Sequence, residues 1–236
     1  MSQDIRYYFD SPEKFPIAGF LDGLSRPCEI LAKAKTYLRE QLTEKAVCEN
    51  EATMLGEVHL HGNYHIGKGT VIYDDVTIIG PVYIGENCEI MAGAVIRPNT
   101  IIGDKCSVGH GSELKRCVMF SGAKVASLSF AGDTVMGASA RIGSGVITAN
   151  RRFDQGVVSV KIDGERASLD DDFFGCVLGD YARIGANSVT QPGTHIGPYS
   201  WIYPMTNVRG FVPRQKRVYH PREIRMEDSE IVQLKP

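Results

Sequence analysis

The chain has 236 residues, 43% of them hydrophobic and 23% charged, which is enough for one sizeable core or two small ones. A formal charge of −2 excludes the bulk basic surplus that nucleic acid or an anionic membrane usually demands. No apolar run approaches the roughly 18 residues of a membrane span, and the opening MSQDIRYYFD lacks the basic-then-apolar layout of a secretory signal, so a cytoplasmic protein is expected.

In chain order, residues 1–53 read as an N-terminal helical cap. Within RPCEILAKAKTYLREQL, Ile30, Leu31, Ala34, Leu38 and Leu42 recur at helical spacing, with Pro27 near the start. The expected role is to cover the exposed end of whatever follows, packing on its first coil. Residues 54–208 carry a repeat. From Ile66 the chain runs IGKGTV IYDDVT IIGPVY IGENCE IMAGAV IRPNTI IGDKCS VGHGSE, each unit opening with Ile or Val and holding a small or β-branched residue at its fifth place. No helix or amphipathic strand keeps one apolar face at period six, whereas a parallel β-helix does: each unit is one short strand and a corner, and three units make a coil rising about 4.8 Å. The opening aliphatics fill the interior.

Between Leu114 and Val135 units of five (LKRCV, AGDTV) alternate with units of six, which tightens corners without ending the coil. Residues 148–177 leave it, and VVSVKI-DG-ERASL reads there as a hairpin on an Asp-Gly turn. A second block, LGDYAR IGANSV TQPGTH IGPYSW IYPMTN, resumes the rule, and 209–236 follow as a tail. The six cysteines, at 28, 48, 88, 106, 117 and 176, show no C-x-x-C spacing and are expected as reduced thiols, with Cys88 and Cys106 stacked one coil apart. His59, His61 and His65 alternate as outward residues with no evident fourth partner, so no metal is expected; His195 reads as a surface histidine.

From about Pro27 to about Val208 the chain resembles the acetyltransferase domain of the bifunctional sugar-1-phosphate nucleotidylyltransferase and glucosamine-1-phosphate acetyltransferase family, on the elements GSELK, GDTVMG, GVITAN and RFD. The resemblance implies an all-β, left-handed parallel β-helix with an N-terminal helical segment and a protruding hairpin loop. It also implies a homotrimer, in which that loop reaches a neighbour. The family's Gly-rich nucleotidylyltransferase domain has no counterpart here, so nucleotidyl transfer is not expected.

That family carries K-x-x-H-L-x-Y-x-G-D where this chain has KVASLSFAGD. Its histidine acts as general base and its tyrosine contacts the sugar phosphate; Ser127 and Phe130 stand in their places. Serine cannot accept a proton near neutral pH and phenylalanine cannot hydrogen-bond a phosphate. Arg97 and Lys115 match the family's phosphate-binding cations, and Asn150 a polar group near the acceptor; a solvated outer wall is the bland reading of the two cations. Counting units back from Ser127 reaches His110 on the same corner one coil earlier, the candidate replacement base. Arg209, Arg214 and Lys216, past the last expected coil, are candidates for the phosphates of coenzyme A, or simply a solvated basic tail.

Two functions follow. One is an acetyl-CoA (or other acyl-CoA) dependent transferase acting on an amino sugar phosphate or sugar nucleotide, with His110 or a water as base, of weak or altered activity. The other is a non-catalytic trimeric binding or scaffold relative that keeps the phosphate grip.

Overall fold

The structure is a computed structural model and describes residues 3–10, 12, 15, 17 and 19–220. Short strands stack into three parallel sheets that form the sides of a prism. The first sheet holds nine strands, from Cys48–Asn50 to Phe211–Val212, the second nine, from Thr53–Leu55 to Arg217–Val218, and the third eight, from Val58–His61 to Asn207–Val208. Each coil visits the three sheets in that order. Ile84 lies over Ile66 and Ile102 over Ile84, an eighteen-residue step. Met119 over Ile102 and Met136 over Met119 take seventeen, because the five-residue units shorten one corner. Inward residues such as Ile66, Ile90, Ile96 and Leu114 are fully buried in one continuous core.

The small residues at the fifth place hydrogen-bond as well as fit. Thr70 Oγ1 donates to the Gly85 carbonyl at 2.8 Å, Cys88 Sγ to Gly103 at 3.0 Å and Ser112 Oγ to Ala126 at 2.7 Å, satisfying carbonyls that the corner leaves inside the core. The cysteines are free thiols. The coil expected to end at Val208 runs on through the strands at 211–212 and 217–218, and the remainder of the expected tail, 221–236, lies outside the described residues.

The N-terminal segment does not sit on the first coil. Helix α1 (Ile5–Tyr8) and helix α2 (Glu29–Leu38), which continues into a wider turn over Arg39–Thr43, lie along the outer face of the first sheet. Tyr7 packs on Phe211, Tyr8 on His195, and Phe9 and Phe15 on Phe120, while α2 buries Ile30, Leu31, Ala34 and Leu38 beside Ile101 and Val118. The physical reason is that this sheet is apolar on both faces. Ile101, Val118, Val135 and Val177 point outward and would be wet without a cover. Burying each such side chain contributes about 1.5–3 kcal/mol.

The same cover corrects the reading of His195. It faces outward from the coil, yet it is 2% exposed, stacked against Phe174 and edge-on to Tyr8. The hairpin Ser159–Ile162 and Glu165–Ser168, closed by Asp163-Gly164, lies down on this cover with Val160 and Ile162 buried; Arg26 reaches across to Asp170 at 3.0 Å. The part of the excursion that stands proud is nearer its start, where Phe153 is fully exposed.

Candidate functional site

The corner between the second and third sheets carries Ala92, His110, Ser127, Ser144 and Ala186 one above another. The carbonyl of each of these accepts from a backbone N–H of the next coil, as in Leu128 N–H to His110 at 2.8 Å and Gly145 N–H to Ser127 at 3.0 Å. His110 and Ser127 are therefore neighbours on one corner, a coil apart. Gly109 makes the approach possible, since a Cβ there would lie 2.4 Å from the Ser127 nitrogen. The imidazole leans away from Ser127: Nδ1 lies 2.8 Å from the Ala92 carbonyl. A carbonyl only accepts, so Nδ1 carries the proton, and in the neutral ring Nε2 presents its lone pair to solvent. Beside Ser127, the exposed Leu128 holds φ of 58°, a left-handed conformation that a bulky side chain seldom adopts.

The outer wall of the third sheet brings the other candidates into one patch, with its charges already matched. Arg97 Nη1 donates to Glu113 Oε1 at 2.8 Å in a half-exposed pair. Lys115 Nζ reaches Asp133 at 3.4 Å and lies 4.2 Å from the centroid of the Phe173 ring. Phe130 sits next to Glu113 in register, and its ring folds over Gly132 beside the Asn150 amide; a Cβ at 132 would meet Phe130 Cε1 at 2.6 Å and Asn150 Nδ2 at 2.7 Å. Asn150 donates to Asp133 rather than to solvent.

Asp133 is the group that sequence reasoning missed. It is fully buried, with φ of 48°, and is bound by Lys115, Arg116 and Asn150. Arg116 also holds Asp171 Oδ2 at 2.8 Å and the Phe173 carbonyl, pinning the root of the excursion to the coil. Burial works against the guanidinium's charge, but Asp133 and Asp171 outweigh it and raise its pKa. Arg116, Asp133 and Asn150 stand seventeen residues apart, one coil each, and that interval is the signal that would have found them.

The three tail cations do not converge. Arg214 and Lys216 lie on the corner between the first and second sheets, Arg209 on the corner between the third and first, with the strand Phe211–Val212 between them. Arg214 is engaged with the N-terminal cover, its backbone N–H donating to the Tyr7 hydroxyl at 2.8 Å and its guanidinium 3.7 Å from Asp10. A groove of about 520 Å³ opens instead beside the His110–Ser127 corner, starting one coil beyond Ser127 and lined by Arg141, Ser144, Arg183, Ala186, Trp201 and Tyr203.

Three parallel sheets wound from six-residue units make a hexapeptide-repeat β-helix, and the likeness to solved acyltransferase structures makes it the left-handed kind that the resemblance implies. Residues 78–202 match the family profile described as the GMPPB C-terminal domain. The chain belongs to this family, and its relatives are of the GlmU-type acetyltransferase kind. Over 208 residues it is 36% identical to the bifunctional protein GlmU of Methanococcus maripaludis, covering 88% of this chain and 49% of that protein. It is 35% identical over 183 residues to the uncharacterized acetyltransferase YaiX of Escherichia coli O6:K15:H31, covering 76% of this chain and 77% of that one. The chain thus spans half or less of the length of the bifunctional relatives it matches. The UDP-N-acetylglucosamine acyltransferase of Francisella novicida shares the fold, at a TM-score of 0.54 and 17% identity over 73% of this chain and 64% of that one. Among the described residues no helix is long and apolar enough to cross a membrane.

Proposed function

We propose that the protein transfers an acyl group, in the first instance acetyl from acetyl-CoA, to the amine of an amino sugar phosphate or amino sugar nucleotide, with His110 as the base. The observation that carries this reading is the Nδ1 hydrogen bond of His110 to Ala92, which fixes the tautomer whose Nε2 accepts a proton. Acyl transfer needs that acceptor. As the amine nitrogen attacks the thioester carbonyl, Nε2 takes the N–H proton; the C–S bond then breaks, and the imidazolium returns the proton to the departing thiolate. Ser127, small and one coil away, leaves room for the amine at the place where relatives carry a histidine. Arg97 spends part of its donor fork on Glu113, and the remaining N–H groups are the natural hold for the sugar phosphate. Lys115 supplies charge to the buried Asp133 and contributes less to the ligand than its match to the family implies.

One feature supports a binding protein without turnover. Phe130, on Gly132 and beside Asn150, puts an apolar ring where relatives place a tyrosine hydroxyl. Thiol release from acetyl-CoA, measured with glucosamine-1-phosphate and a panel of amino sugar nucleotides, separates the two. Turnover that falls about 10²–10⁴-fold in His110→Ala is the expected result. Turnover unchanged in that variant removes His110 as base. A silent parent that gains activity in Ser127→His would mark a binding relative built on a disabled transferase.

A further inference from the structure

The two ends of the prism are both open and carry opposite charge. At one end the strands Cys48–Asn50, Thr53–Leu55 and Val58–His61 terminate the three sheets, each with a strand neighbour on one side only. The N-terminal helices lie along the side of the first sheet, so among the described residues this end has no cover. Met54 and Leu60 stand next to Ile72 and Ile78 in register, yet they are half-buried where those two are fully buried. Val58 and Tyr64 are half-buried with them at the edge of the core. At the other end the first sheet stops at Phe211–Val212 and the second at Arg217–Val218, with Val218 half-buried. Each end thus presents strand edges around an apolar centre, a ready template for another chain. Residues 48–79, the first two coils, hold five carboxylates, all exposed, against Lys68 alone. Residues 183–218, at the far end, hold Arg183, Arg209, Arg214, Lys216 and Arg217 and no carboxylate. Glu49 and Asp75 have His65 and His59 beside them, at 2.8 and 3.5 Å. Glu51 and Glu57 have no cation within ion-pair distance among the described residues, and Arg209 and Lys216 have no carboxylate.

We propose that the molecule stacks head to tail, the last coil of one copy receiving the first coil of a second copy. Two such ends can meet in three ways, and charge chooses among them. Head on head sets carboxylates against carboxylates and tail on tail sets cations against cations; only head on tail joins unlike charge. Strand direction agrees with that choice. Every pair within the prism is parallel, and head-to-tail contact brings Phe211–Val212 to Cys48–Asn50 and Arg217–Val218 to Thr53–Leu55 in the same sense, one rise of about 4.8 Å away. It also sets Met54 of one copy over Val218 of the other, each the inward residue of its strand. The third sheet ends one strand earlier, at Asn207–Val208, so the contact is made through the other two. Charged side chains on an edge keep it from pairing with its own kind, and here the acids of the head exclude another head while leaving the basic tail as a partner. The contact joins two different surfaces and does not close on itself, so it repeats into rods. It draws on no part of the transfer chemistry.

Sedimentation velocity on the full chain tests the stack. At about 0.01 M salt, where the Debye length is about 30 Å, the weight-average mass is expected to rise about twofold or more between micromolar and millimolar chain. At about 1 M salt, where that length is about 3 Å, the smallest species alone is expected. The variant Glu51→Lys/Glu57→Lys gives the head a basic face, and Arg209→Glu/Lys216→Glu gives the tail an acidic one. Each is expected to stay at the smallest species in both salts. Mixed in equal amounts at low salt they are expected to associate again, because each supplies the end that the other lacks, a result that misfolding of either variant does not produce. No rise in the parent at low salt, a rise that survives either reversal, or a mixture that stays apart overturns the proposal. So does a rise that appears only in Glu223→Ser/Glu227→Ser/Asp228→Ser/Glu230→Ser, which would name residues 221–236 of the same chain as the occupant of the basic end. Because the readout is mass, it stands or falls separately from thiol release.

Discussion

His195 gives the sharpest test of how the N-terminal cover is held. Its ring lies between Phe174 and Tyr8, and Nδ1 donates to the Gly193 carbonyl at 2.9 Å. Burial disfavours the imidazolium and takes the pKa down to about 4, the hydrogen bond to Gly193 offsetting only part of this. In the unfolded chain the same group titrates near 6.5. Between these values the unfolded state holds more protons than the folded one, so stability rises with pH. The contribution is fully present above about 6.5, falls by about 2 kcal/mol on going from pH 7 to pH 5, and has lost about 3 kcal/mol below pH 4. Urea unfolding followed by far-UV circular dichroism, run at pH 7 and pH 5 on the parent and on His195→Gln, isolates the term, since other titrating groups are common to both. The expected result is that the parent loses about 2 kcal/mol more than the variant over that interval. Equal losses would mean that the imidazole is hydrated in solution and that the cover does not close over it.

Three further outcomes test the site's construction. Arg116→Met strands the buried Asp133 with Lys115 and Asn150 alone, and should cost about 3–5 kcal/mol in urea unfolding; adding Asp133→Asn, which removes the charge and tolerates the φ of 48°, should recover most of it, because the penalty lies in the unpaired charge. Gly109→Ala forces a Cβ onto the Ser127 nitrogen and should cost about 1–3 kcal/mol, while Gly164→Ala, at the open hairpin turn, meets no atom within 4 Å and should cost less than that despite its φ of 90°. For assembly, light scattering should give three times the chain mass, as the homotrimer reading requires; a monomer at micromolar concentration would remove it.

The coil was legible because interior and corners impose opposite demands at fixed intervals: an aliphatic side chain inward once per unit, a small donor at the corner. What the period hid is that some units place two aliphatics in succession. Ile101-Ile102, Val118-Met119, Val135-Met136 and Val177-Leu178 each put one residue inside and one outside, so the first sheet must be covered. Reading only the inward member placed the N-terminal helix at an end and left His195 at the surface. The stacking of His110 with Ser127 could be counted from unit lengths, but the direction of the imidazole could not, because it depends on a carbonyl in the preceding coil. Lys115 was singled out while its neighbour Arg116 was passed over, although Arg116 and Asp133 are the pair that the coil length brings into contact. The tail cations are close in sequence and distant in space because a corner turns between them. Lys124, Arg141, Arg183 and Arg217 illustrate the opposite case, lying 17, 42 and 34 positions apart in the chain yet following one line on the second sheet.

In a solenoid each coil touches only the next, so load applied at one end is resisted by one rung at a time. The cover running beside the first sheet changes that response. From Tyr7 against Phe211 and Tyr8 against His195, through Phe9 against Phe120, to α2 against Ile101, the described residues of the N-terminal segment are fastened to the coils in the reverse of their order, before the chain joins the first strand at Cys48. It acts as a tie rod. Unwinding the last coil has to shear the aromatic contacts of the N-terminus at the same moment, and the earliest coils are loaded through the rod as well as through the stack. Pulled at its two ends, such a molecule should yield in one event at high force instead of paying out coil by coil.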